Sequence, residues 1–139
     1  MSLFSVEKTV TLAAAKQAAE AAEKFAAANN WKMAIAVVDS GANLIYVARM
    51  DGGLIGSVSV AEQKARTAVQ FKCPTKDLQA GVAAGTISLL KLDILPFEGG
   101  IPIMVDGSIA GAIGASGVGP EQDGQAAQAG VDALRSALK

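Results

Sequence analysis

The sequence predicts an α/β (α+β) fold in which helices cover both faces of a largely antiparallel sheet, and three observations carry the prediction. Two pairs of apolar segments, Met33 to Val38 with Leu44 to Met50 and Ile101 to Val105 with Ser108 to Ser116, are each joined by a turn too short for a parallel crossover. The run Met33 to Val38 is apolar at every position, the pattern of a strand covered on both faces. Before, between and after these hairpins lie segments whose apolar residues recur at helical spacing. Helix, hairpin, helices, hairpin, helix reads as a three-layer α/β/α sandwich, a single domain over residues 1–139.

Each element has its own local reason. From Thr11 to Asn29, Leu12, Ala15, Ala19, Ala22 and Ala26 form one helical face, and Glu20 stands four residues before Lys24 in the favoured polarity of a helical ion pair. Alanine gives high helix propensity and little width, so this helix suits a close approach to the sheet. Asn29-Asn30 ends it, and the Gly-containing loop from Asp39 to Asn43 closes hairpin one. After Asp51-Gly52-Gly53, Val58, Ala61, Ala65, Ala68 and Val69 mark a second helix over Ser57 to Phe71, with Glu62, Lys64, Arg66 and Gln70 around the rest of it. Pro74 stops that helix, and Thr75 is expected as the N-cap of a short third helix ending near Gly85. Thr86 to Gly100 reads as loop around at most a short strand. Asp106-Gly107 between two apolar runs suits a type I′ turn. Asp123 is expected to cap a terminal helix marked by Ala127, Val131, Leu134 and Leu138.

Composition excludes several functions. Lys+Arg total 12 against 13 Asp+Glu, so there is no electrostatic footprint for nucleic acid or anionic membrane. No apolar run approaches the ~20 residues that span a bilayer, and the N-terminus lacks a basic segment followed by an apolar one, so a cytoplasmic protein is expected. Apolar residues make up 51% and charged ones 18%, more apolar surface than one small domain buries, which implies a homo-oligomer. Histidine is absent, which removes Ser-His and Cys-His nucleophile pairs. Cys73, the one cysteine, reads as a buried small side chain rather than a reactive thiol. No metal-ligand set stands out.

The charged residues at strand ends are the site candidates. Arg49 and Asp51 end hairpin one on the same side of the strand, as an ion pair or as a ligand contact, since a guanidinium suits carboxylate and phosphate alike. Lys64 lies nearer the apolar stripe of the second helix than its charged neighbours. Glu98-Gly99-Gly100 sets an acid beside flexible backbone just before hairpin two, and Glu98 is the leading pocket residue. Gly111, Gly114 and Gly117 lie within or at the end of a strand without a following helix, so they read as close-approach positions rather than a dinucleotide loop; Ser116, at the strand end, is left as a ligand contact. Arg49, Lys64 and Glu98 are expected to converge at one end of the sheet, across a subunit boundary if need be.

Asp39-x-Gly41, Arg49-Met50-Asp51, Lys64-Ala65 with Thr67-Ala68, Gly99-Gly100-Ile101-Pro102-Ile103, Gly111-Ala112-Ile113-Gly114 with Ser116-Gly117, and Asp123 before an Ala-rich helix together resemble the GlcG/HbpS family. That family, called haem-degrading, also takes in the C-terminal domain of PduO-type corrinoid adenosyltransferases, and the resemblance runs over essentially the whole chain. It implies a profilin-like α/β/α domain with a five-stranded antiparallel sheet, assembling into dimers and larger rings, and a haem or related tetrapyrrole ligand. With no histidine present, an axial ligand to haem iron would have to be Tyr46, Cys73 or a methionine such as Met50. Two functions follow. One is an oligomeric binder of a small anionic organic molecule or a tetrapyrrole; the other is a cofactor-independent enzyme on a small carbonyl or hydroxy-acid substrate, with Glu98 as acid/base and Arg49 or Lys64 holding an anionic group.

Overall fold

The computed structural model describes residues 2–137. Two hairpins lie side by side in one four-stranded antiparallel sheet of order β2-β1-β4-β3, where β1 is Ala34–Asp39, β2 Leu44–Arg49, β3 Gly100–Val105 and β4 Ser108–Ser116. Helices α1 (Leu12–Ala28) and α4 (Pro120–Ala137) pack on one another and on one face of the sheet, and α2 (Ser57–Phe71) covers the other face. The short α3 (Thr75–Ala83) and a single 3-10 turn (Ile87–Lys91) form an excursion between α2 and β3.

Register explains why β1 is apolar throughout. It is an inner strand, pairing Ala34 with Arg49 on one side and with Ser116 on the other, and Met33 to Val38 are all fully buried. Ile35 and Val37 join the cluster under α1 and α4, while Ala34, Ala36 and Val38 belong to the clusters under α2. Small residues set the spacing of the layers. Every buried position of α1 is alanine. On the opposite face, a Cβ at Gly114 would stand 2.8 Å from the backbone nitrogen of Ala65 and also meet the Ala61 carbonyl. Gly114 therefore serves the seating of α2 on the sheet, whereas a Cβ at Gly111 would meet the Val10 side chain at 2.8 Å.

The hairpin turn is as expected, with positive φ at both Asp106 (51°) and Gly107 (77°), the type I′ requirement. Thr11 caps α1 by accepting from the Ala14 amide at 3.2 Å.

Three expectations are corrected. The sheet has four strands among the described residues, not five: residues 86–99 form the 3-10 turn and bends with mostly exposed side chains, and the N-terminal segment contributes one backbone bond, Val10 N–H to the Ala110 carbonyl at 2.9 Å, without a ladder. Thr75 is the first residue of α3 rather than its cap; its hydroxyl is drawn across to β3, accepting from the Gly100 amide at 2.8 Å. Helix α4 begins at Pro120, whose fixed φ suits the first helical position, so Asp123 sits inside the first turn. Leu138, expected on this helix, lies outside the described residues.

Candidate functional site

One end of the sheet gathers most of the polar chemistry. There β4 runs out at Ser116, β3 begins at Gly100, and α4 starts three residues after Gly117. Lys64 reaches over this end from α2. Its Nζ donates to Asp123 Oδ2 at 2.9 Å and to the Ala115 carbonyl at 3.0 Å. Asp123 Oδ1 in turn accepts from the Val118 amide at 3.1 Å. Lys64 is 2% exposed and Asp123 4%. A buried ammonium needs a carboxylate to neutralise it and acceptors for its protons, and here Asp123 and the Ala115 carbonyl take two of the three. This pair ties α2 to the β4–α4 loop, which makes Lys64 a pin in the frame of the site.

Gly99 rests on that pin. A Cβ there would stand 2.8 Å from Lys64 Nζ, and Gly99 adopts φ 133°, a conformation side chains other than glycine's rarely take. Its carbonyl accepts from the Ala115 amide at 3.0 Å, which locks the turn ahead of β3. Glu98 therefore leaves the chain at a defined place. Its amide donates to Gln79 Oε1 at 2.7 Å, and its carboxylate lies across α4, where a Cβ at Gly124 would come within 2.7 Å of Oε2. Among the described residues no cation stands within ion-pair distance of Glu98.

A half-open cleft of about 250 Å³ lies at this point, lined by Lys76 of α3, Glu98 to Ile101, and Glu121, Gly124, Gln125 and Gln128 along one side of α4. The Lys64–Asp123 pair is its support and does not line it.

Of the residues expected from the sequence, Lys64, Glu98, Gly99 and Gly100 meet here. Ser116 is buried at the end of β4 and pairs with Ala34 in the ladder. Arg49 and Asp51 are elsewhere. Arg49 stands in the same cross-strand row as Ala34 and Ser116, but β2 and β3 are opposite edges, three strand spacings or about 14 Å apart. Both side chains are exposed. Sequence reading missed Asp123 as the partner of Lys64, and it missed Lys76, Glu121 and the two glutamines. The signal available for Asp123 was a lysine placed among Ala61, Ala65 and Ala68, which demands a buried acid somewhere.

The chain matches known proteins in sequence and fold. A family model described as "Haem degrading protein HbpS-like" covers residues 10–132. The chain belongs to the HbpS-like family. It is 37% identical over 97 residues to the protein GlcG of Escherichia coli K12, covering 69% of this chain and 72% of that protein. The crystal structure of Klebsiella pneumoniae protein ORFY superposes with a TM-score of 0.91 at 33% identity, covering 98% of this chain and 97% of the other. A PduOC:haem complex superposes at 0.81 with 29% identity, covering 90% and 94%.

The residues of this HbpS-like chain do not suit ligation of haem iron in the cleft. Haem iron is held by histidine, cysteine, methionine or tyrosine, and none of these lines it. Tyr46 lies mid-strand on β2, and it and Met50 pack against the core. Cys73, next to the lining residue Pro74, keeps its proton: burial pushes the thiol above its ordinary range, and the charge of Asp77 adds to this. No metal-holding group of three or more acidic, Cys or His residues occurs among the described residues. No helix there is long and apolar enough to cross a membrane.

Proposed function

We propose that this HbpS-like chain is a cytoplasmic, homo-oligomeric small-molecule-binding protein whose ligand is a small organic acid held in the cleft between β3 and α4. The observation that carries the reading is the contrast between two charges at the same corner. Lys64 is fully neutralised by Asp123, whereas Glu98 is held at a fixed position with no cation within ion-pair distance among the described residues. A carboxylate with a defined address and no ion-pair partner among the described residues of its own chain is arranged for a group that arrives from outside.

Size and lining narrow the ligand. About 250 Å³ is the space of roughly eight water molecules, below the range of drug-sized pockets and far from a tetrapyrrole. The Lys76 ammonium suits a carboxylate on the ligand; Glu98 suits a hydroxyl or ammonium donor; Gln125 and Gln128 supply further hydrogen bonds. A hydroxy acid or amino acid of a few carbons carries the groups that complement them.

A thermal-shift screen of small hydroxy, keto and amino acids, with haem as a further arm, tests this. A ligand at a hundred times its Kd stabilises by about 2.7 kcal/mol. Unfolding entropy of about 0.3 kcal/mol/K for a chain of this length converts that into a rise of about 9 °C. Stabilisation by small acids is the expected result. Stabilisation by haem alone would overturn the assignment.

A further inference from the structure

Beside the cleft stands an exposed aromatic side chain: Phe97, next to Glu98, is 51% exposed. A second unusual surface lies at the same end of the sheet on the opposite edge. There Leu54 and Ile55 are 66% and 85% exposed, next to Arg49, which has no ion-pair partner among the described residues. With Lys32 beside Gly52 and Asp51 exposed, this corner carries a net positive charge, while Lys76, Glu98 and Glu121 leave the cleft net negative.

We infer that these two surfaces meet across a two-fold axis, so that Arg49 of a second copy closes the cleft over Glu98. A rotation of 180° about the sheet normal, placed at this end, brings the ends of two sheets together and exchanges their edges. The β2 corner of each copy then faces the β3 cleft of the other, and the contact is made twice, as a two-fold interface requires. Leu54 and Ile55 cover Phe97, removing apolar surface that a monomer leaves in water. The guanidinium gives the closed site a second cation for the ligand's acid group beside Lys76. The same contact explains why Arg49 and Glu98 each lack an ion-pair partner among the described residues of one chain. The inference rests on the reading of the cleft as the ligand site, but the contact itself is measured without any ligand.

Sedimentation velocity of the full chain at tens of micromolar tests it with Arg49→Glu and Glu98→Arg. Each single variant is expected to halve the sedimenting mass while keeping a wild-type circular dichroism spectrum, and Ile55→Ser to do so in part. An equimolar mixture of the two charge variants is expected to regain the wild-type mass, because every cross-copy pair in the mixed dimer is again of opposite charge. A monomeric wild type, unchanged mass in both variants, or a mixture that stays at half mass would overturn the inference. If the mass pattern holds and no small acid shifts the melting temperature, the contact stands and the function proposed for the cleft falls.

Discussion

Replacing Lys64 by methionine keeps the length and volume of the side chain and deletes its charge, which isolates the role of the buried pair. The substitution leaves the Asp123 carboxylate, 4% exposed, with only the Val118 amide at 3.1 Å, and it takes the 3.0 Å donor from the Ala115 carbonyl. Breaking a buried pair from one side costs about 3–5 kcal/mol, because an uncompensated charge remains inside. At about 0.3 kcal/mol/K this is a fall in Tm of about 10–17 °C at fixed protein concentration. The double variant Lys64→Met with Asp123→Leu removes the stranded charge and recovers part of the loss. Recovery stays incomplete because the buried Ala115 carbonyl still lacks its 3.0 Å donor, at a cost of about 1–3 kcal/mol. Urea unfolding of wild type, both singles and the double gives the coupling energy directly. A loss under 1 kcal/mol for Lys64→Met, or a double variant as unstable as the sum of the singles, would refute the assignment of Lys64 as a structural pin.

Two further outcomes follow from the packing and the ion pairs. Gly114→Ala drives a methyl group into the Ala61 and Ala65 backbone of α2 and is expected to cost about 1–3 kcal/mol in chemical unfolding; an unchanged midpoint would mean α2 does not sit against β4 as described. Hydrogen bonding to Lys8 and its charge hold the Asp106 carboxyl below its ordinary value, so this contribution is present above the unfolded carboxylate range and is lost as pH falls through the folded value. Wild type is therefore expected to exceed Lys8→Met slightly in Tm at neutral pH and to match it in acid, and a gap that persists in acid would contradict this.

The elements were legible where one local pattern decides them. The unbroken apolar run Met33 to Val38 announced an inner strand, Asp106-Gly107 the turn of the second hairpin, and the alanine and valine spacing from Ser57 to Phe71 the bounds of α2. Residues 86–99 were illegible because most of their side chains face water and the covered ones, such as Leu89, Ile94 and Pro96, follow neither a helical nor a strand period. Strand order was the larger gap. Hairpin turns dictate which strands pair within a hairpin but not which strands of two hairpins meet. With β1 and β4 inside, Arg49 and Glu98 go to opposite edges, and their expected convergence within one chain is lost. The partner of Lys64 was hidden for a similar reason. A lysine in an alanine stripe reveals that an acid is needed, while Asp123, fifty-nine residues on, reads locally as a cap.

The claim that Glu98 serves a ligand while Lys64 serves the fold is tested most directly by Glu98→Gln. The variant keeps the side chain's shape and the backbone hydrogen bond to Gln79, so its Tm without ligand is expected to fall far less than that of Lys64→Met, the only loss being the charge that faces Arg49 of a second copy. Calorimetric titration with the small acid that best stabilises wild type is expected to show affinity reduced at least about tenfold, the loss of one charge-assisted hydrogen bond. Undiminished affinity, together with a fall in Tm like that of Lys64→Met, would show Glu98 to be a second structural pin and contradict the account.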